Sequence, residues 1–288
     1  MQVDVIIVGQ GLAGSILAYH LIQKRLKVAV IDDHHRGSSS LVAAGLVNPV
    51  TGKRLVKSWY VDTCLPAALQ FYRHLEMVLD RSFYHQMPIL RLFNNTEDQA
   101  LWEKRRKQPG YERYIGPLSS PNESGLHIPR SIGGFHIRHS GYLDTGGLLH
   151  ALSTYLQRRQ CLIDAPLNYG DVNVDGKKVR WKNITADRLV FCEGHRIREN
   201  PWFCGLPLQP AKGEILTLKT AQSLPKEIIN GGKWLLPIEP DKLKIGATFQ
   251  WLPVDNIPTA AGKQQLLFGT KSGYLAKDTV ALYMLYPS

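Results

Sequence analysis

The sequence predicts an α/β fold in which a nucleotide-binding layer is interrupted by a strand-rich insertion. An apolar strand, Val3-Asp4-Val5-Ile6-Ile7-Val8, runs into Gly9-Gln10-Gly11-Leu12-Ala13-Gly14, a helical stretch to about Lys24 and a second strand, 28–31, ending on Asp32. A further apolar strand over Ala186–Gly194 returns to the same type of layer after the insertion. Between and after these come short alternating segments typical of an antiparallel sheet with helices.

Each part of the opening unit has a physical task. Gly9 permits the tight turn out of the strand, Gly11 lets backbone approach a pyrophosphate at the helix N-terminus, and Gly14 lets helix and strand pack closely. Asp32 follows the glycines by roughly 20 residues, where a carboxylate accepts hydrogen bonds from an adenosine ribose. The same charge would repel the extra phosphate of NADP. Leu12 and Ala13 complete the turn, and Asp33 is the substitute if Asp32 is not on the ribose.

Length and composition bound the class. The 288 residues hold one large or two ordinary domains, and 44% hydrophobic content supplies a core. The strand begins directly after Met1 and no apolar run reaches bilayer length, so the expectation is a cytoplasmic protein without membrane association. Cys64, Cys161, Cys192 and Cys204 contain no C-x-x-C pair; they are read as packing thiols. His34-His35 and His136-x-x-His139 lack acidic or cysteine partners at metal-ligand spacing, so no metal is expected. Gly-x-Ser-x-Gly is absent, which disfavours hydrolase chemistry. The net charge of +11 favours anionic ligands. Its densest run, Lys104-Arg105-Arg106-Lys107, reads as a solvated helix face, and aromatics are not interleaved with it as a single-strand binder requires.

Along the chain, Ser38 to Pro49 is small and glycine-containing, as where backbone runs beside a ligand. The following Val50-Thr51-Gly52-Lys53 is not a P-loop, because Val47 and Arg54 stand where glycine and Ser or Thr are needed. Helices are expected at 61–79, 97–107, 148–156 and 259–267. Strands are expected at 86–93, 133–138, 213–218, 234–236 and 244–248. The Pro-, Gly- and Ser-rich segment 109–125 reads as loop, and Gly141–Thr145 as a turn.

Taken in order, these motifs resemble the D-amino-acid oxidase and glycine oxidase family of FAD-dependent oxidoreductases. The resemblance rests on Gly9, Gly11, Gly14 and Asp32, and on Ala43-Ala44-Gly45-Leu46, similar to the family's flavin-side loop. Gly141-Tyr142-Leu143-Asp144 opens a helix as in the family, Ile163–Leu167 is similar to the strand whose backbone meets adenine, and Ala186–Gly194 resembles a strand ending at the cofactor. Most specific is Pro210-Ala211-Lys212-Gly213-Glu214, followed by Trp234–Pro237 and Ile245–Thr248.

The resemblance implies a Rossmann-like FAD-binding domain (1–79 and 140–206) with an inserted α+β antiparallel-sheet substrate domain (80–139 and 207–268), and an unassigned tail, 269–288. It implies FAD rather than NAD, held by Gly9, Gly11, Leu12, Ala13, Gly14, Asp32, Asp33, Ser40, Ala43, Ala44, Gly45, Leu46, Leu167, Cys192, Glu193 and Gly194. Trp234 and Lys53 are candidates for the substrate pocket, with Arg54 and Lys57 as alternatives to Lys53; no catalytic side chain stands out. Trp234 reads equally as core, Lys212 and Glu214 equally as a surface pair, and Glu193 is either close to the flavin or turned to solvent.

The implied reaction is oxidation of a C–N bond of an amine or amino acid by hydride transfer to flavin N5, which requires no general base. A second reading is similarity to the oxidase half of the bifunctional enzyme of tRNA wobble-uridine modification; tRNA is possible but not favoured over a small-molecule substrate. A third is a non-catalytic FAD-binding protein. No Gly-x-Arg follows Thr248, and Gly269–Leu275 only faintly resembles the family's terminal glycine segment, so weak FAD binding and poor oxidation are expected.

Overall fold

Strand Gln2–Val8 buries side chains on both faces, with Ile6 and Ile7 fully enclosed, as a central strand of a parallel sheet must. The computed structural model describes residues 1–34, 37–119, 132–221, 223–251, 255–271 and 280–283. Its contacts divide the chain into two units. Of the described residues, one comprises Met1–Ala43 with Thr145–Pro210, and the other Ala44–Asp144 with those from Ala211 to Tyr283.

The first unit is built on six strands in the spatial order Leu162–Asp164, Val28–Asp32, Gln2–Val8, Ile184–Phe191, Lys178–Trp181 and Val172–Asp175. The first four are parallel; the last two fold back antiparallel. That two-strand extension was not anticipated, because its polar, lysine-rich sequence lacks the apolar run of a buried strand. Helices Leu12–Gln23 and Thr145–Arg158 pack together, with Tyr19 and Tyr155 ring centroids 5.3 Å apart. A second core of Val3, Ile6, Ile31, Trp181 and Ala186 completes the unit.

The second unit carries an eight-stranded sheet ordered Val280–Tyr283, Ile215–Thr220, Lys242–Gly246, Trp234–Glu239, Ile228–Asn230, Ile89–Leu92, Gly134–Ile137 and Ile115–Ser119. All pairings are antiparallel except Ile228–Asn230 with Ile89–Leu92. Leu90, Leu218, Leu235, Ile245 and helix residue Leu266 form one core. Ile89, Phe93, Trp102, Tyr114, Phe135 and Leu236 belong to another.

Several boundaries differ from the expectation. Residues 44–79 join the second unit, because Leu46–Val47 pairs with Gly141–Leu143, and Ala44, Val50, Leu55 and Val61 share a core with Ile89 and Trp102. Gly141–Leu143 is therefore a strand, not a turn. The expected strand 86–93 is two, Tyr84–Gln86 and Ile89–Leu92, in different sheets and separated at Pro88. The expected loop contains strand Ile115–Ser119, where buried Ile115 outweighs Gly116 and Pro117. Gly269–Lys271 closes helix Ala260–Lys271; the rest of the faint glycine segment, Ser272–Leu275, lies outside the described residues, and the tail supplies the edge strand Val280–Tyr283.

Among the cysteines, Cys64 and Cys204 are exposed, so the packing reading fails for both. His34 Nε2 lies 2.6 Å from Asp164 and His136 Nε2 lies 2.7 Å from Glu227; His35 is outside the described residues. No helix among the described residues is long and apolar enough to cross a membrane.

Candidate cofactor cleft

Gly9 leaves the central strand at φ +95°, where a Cβ would stand 2.5 Å from the Cys192 carbonyl oxygen. A Cβ on Gly14 would stand 1.9 Å from the Gly9 carbonyl oxygen. Both glycines are thus required by packing of the turn against its helix and the neighbouring strand. Gly11 differs. Its backbone is ordinary (φ −64°), and an added Cβ would point between Ser40 Oγ at 3.3 Å and Ser38 Oγ at 3.8 Å. It leaves open the space in front of the helix N-terminus.

The turn is held by its surroundings. The Gln10 N–H donates to Asp32 Oδ1 (2.8 Å), and the buried Gln10 amide joins Ser15 Oγ and Ser153 Oγ. The Leu12 N–H donates to Ser40 Oγ (3.2 Å), which places a hydroxyl at the positive end of helix Leu12–Gln23.

A cleft of about 310 Å³ opens here, at the carboxyl ends of the parallel strands. Gly9, Gly11, Leu12 and Ala13 form its floor; Asp32, Asp33 and Ser40 form one wall. Leu167, beyond the edge strand next to Asp32, also lines it, with Cys192, Glu193 and Gly194 on the other side of the central strand closing the far side. Gly14 lies beneath the turn and is not part of the lining. Ala43 ends the first unit; Ala44, Gly45 and Leu46 belong to the second, with Gly45 at φ +68° pressed against the Leu143 carbonyl.

Glu193 is not aimed at solvent. Its oxygens accept from Tyr169 Oη and Asn200 Nδ2, each at 2.8 Å, and Asn200 is fully buried. Burial and then the Glu193 carboxylate push the Tyr169 phenol up, so it stays a donor; burial likewise raises the Cys192 thiol. Arg196, from the short 3-10 helix Gly194–Glu199, lines the cleft and lies 3.4 Å from Asp33 Oδ2. Ser38 and Phe191 also line it. Sequence reading missed Arg196 because nothing in Glu193–Glu199 marks a side chain returning across a cleft. The Ser38-Ser39-Ser40 run was the available signal for Ser38.

In the second unit Trp234 covers Gly246, whose Cβ would fall 2.2 Å from the indole. The pairings Trp234–Gly246 and Leu236–Lys244 put Lys244 on the same sheet face as Trp234. Burial pushes the Lys244 ammonium down, opposed by Asp144. Lys53 stands exposed on the turn of hairpin Val50–Thr51/Val56–Lys57, beside exposed Arg54. Lys57 pairs with Asp62 at 2.6 Å. Lys212 is buried: its Nζ reaches Asp255 at 2.5 Å, while Glu214 accepts the Thr259 N–H and hydroxyl. The two residues tie the approach to helix Ala260–Lys271 onto the sheet, which excludes a surface pair for Lys212.

These residues fit the nucleotide half of a dinucleotide: a glycine floor, a helix N-terminus for phosphate and a carboxylate at the second strand's end. Comparison with known proteins decides which. A sequence profile of the family described as FAD dependent oxidoreductase matches residues 4–272. The chain belongs to this family. Its cofactor is FAD. This member of the FAD dependent oxidoreductases is 24% identical to glycine oxidase of Pseudomonas putida over 92% of its own length and 76% of that protein. It is also 24% identical to the tRNA 5-methylaminomethyl-2-thiouridine biosynthesis bifunctional protein MnmC of Marinobacter nauticus, over 91% of this chain but 43% of that one. In fold it matches the crystal structure of glycine oxidase from Geobacillus kaustophilus, with a TM-score of 0.81 and 19% identity over 95% of this chain and 78% of the other.

Proposed function

We propose that the protein is an FAD-dependent oxidoreductase that oxidises a C–N bond of an amine or amino acid. The observation that carries this reading is the cleft itself: a glycine-floored pocket with Asp32 on its wall, in a chain similar to glycine oxidase over most of both lengths. FAD, held by these residues, would supply the two-electron hydride acceptor for oxidation of the substrate C–N bond, and the imine product would be hydrolysed by water.

The chain's own residues bind and orient. Gly11 and the N-terminus of helix Leu12–Gln23 receive the pyrophosphate, Ser40 adds a hydroxyl there, and Asp32 accepts from the ribose. Leu167 and Gly194 bound the remaining walls. The first unit is the FAD-binding domain in this reading and the second the substrate domain, in which Trp234 is the proposed apolar pocket residue. Lys53 is the proposed partner for a substrate anion; a lysine offers a point charge where an arginine would offer a fork.

The test is direct. Purified protein should show flavin absorbance, and anaerobic titration with glycine, sarcosine or a D-amino acid should bleach it. A flavin band that no amine bleaches would overturn the amine assignment.

A second reading, action on a modified tRNA nucleoside, is favoured by the similarity to MnmC and by the +11 charge. Filter binding to tRNA with a steep salt dependence would support it; binding unaffected by salt, or none, would remove it.

A further inference from the structure

Asp33 follows strand Val28–Asp32, and Arg196 sits in the 3-10 helix that follows strand Ile184–Phe191. Those two strands flank the central strand Gln2–Val8 on opposite sides. An ion pair between residues beyond their ends therefore spans the end of the central strand, where the turn Gly9–Ala13 forms the floor of the cleft. Both side chains line that cleft. Glu193 is already engaged by Tyr169 and Asn200, and among the described residues Asp33 is the carboxylate within ion-pair distance of Arg196. Arg196 is 46% exposed and Asp33 22%, so the guanidinium is free to swing outward while the carboxylate is held closer to the wall.

We infer that the Asp33–Arg196 pair is a strap across the cofactor cleft, with Arg196 acting as a positioning residue that slows release of bound FAD. The inference rests on the cleft being the FAD site. A half-exposed pair contributes modestly and is screened by salt, so the strap governs residence time more than the existence of binding.

The experiment follows FAD release from the holoprotein on dilution, by flavin fluorescence. Arg196→Ala should release FAD roughly three- to five-fold faster, the scale set by an exposed pair. Added sodium chloride should accelerate release from the wild type more than from the variant, because the variant lacks the salt-sensitive pair and keeps only the pyrophosphate contact at the helix N-terminus. Arg196→Lys should fall between the two. In an Asp33→Asn background the Arg196→Ala effect should vanish, because the pair is already broken. Equal melting temperatures of the apo forms of wild type and Arg196→Ala would show that the change is not one of folding. Release from Arg196→Ala at the wild-type rate or slower, or the full effect persisting in Asp33→Asn, would overturn the strap while leaving the FAD site intact. A wild-type chain that cannot be loaded with flavin would overturn both.

Discussion

A Cβ on Gly14 would lie 1.9 Å from the carbonyl oxygen of Gly9, whereas one on Gly11 would meet only the hydroxyls of Ser40 and Ser38. The three glycines of one motif therefore do different work. Gly14→Ala should lower the melting temperature of the apoprotein, since backbone must shift to admit the methyl group; an unchanged melting curve would contradict this packing.

Gly11→Val should behave in the opposite way. The backbone there suits any residue, so the variant should fold, but its side chain would occupy the pyrophosphate space and hold phosphate away from the helix N-terminus. Stoichiometric FAD in a folded Gly11→Val protein would sink the assignment of this turn.

Asp32→Ala should weaken FAD by about 1.5–3 kcal/mol, the scale of a charge-assisted hydrogen bond, or about one to two orders of magnitude in affinity. Because Asp32 also accepts the Gln10 N–H, Asp32→Asn, which keeps an acceptor, should lose less than Asp32→Ala. Equal titration midpoints for wild type and Asp32→Ala would move the ribose contact to Asp33.

Stability should fall in acid through Glu76. Burial alone would raise its pKa, but the N–H groups of Phe83 and Tyr84, at 2.7 and 2.8 Å, together with the Ser82 hydroxyl, outweigh that and hold it below the ordinary carboxylate value. A carboxylate depressed in the folded state stabilises above its unfolded pKa, about 4.3, and loses that contribution as pH falls through the folded value. Glu76→Gln should therefore be less stable than wild type by about 1 kcal/mol near neutrality. Denaturant midpoints of the two proteins should converge as pH falls below the unfolded carboxylate value, about 4.3, and a constant gap would remove Glu76 as the cause.

Gly246→Ala should destabilise the second unit by about 1–3 kcal/mol, because the methyl group would overlap the Trp234 indole at 2.2 Å. Urea unfolding followed by tryptophan fluorescence reads this, and pairing the change with Trp234→Phe should recover part of the loss.

The opening unit was legible because strand, turn and helix carry local signals: the apolar run before Gly9, the spaced glycines and the acid after Ile31. The helix Val61–Leu79 was legible from its periodicity even with Pro66 inside it. Unit membership was not. Residues 44–79 read as a continuation of the nucleotide layer, yet their partners, Gly141–Leu143 and the core around Ile89, lie far along the chain. The pairing of Arg196 with Asp33 was hidden for the same reason: Asp33 is marked by its place after the second strand, but Arg196 lies 163 positions further on in a neighbourhood that carries no signal.

The pairing of Gln2–Val8 with Ile184–Phe191 also constrains the order in which the molecule can be made. During synthesis the opening strand, turn and helix emerge first, but one side of the central strand stays bare until residue 184 onward has left the ribosome. Domains tend to fold as units as they emerge, yet the cofactor cleft needs Cys192 to Gly194 for its far wall. A nascent chain ending at Asp144 would thus carry every glycine of the fingerprint and still present an apolar sheet edge rather than a cleft, a state prone to association with other chains until the late strand arrives.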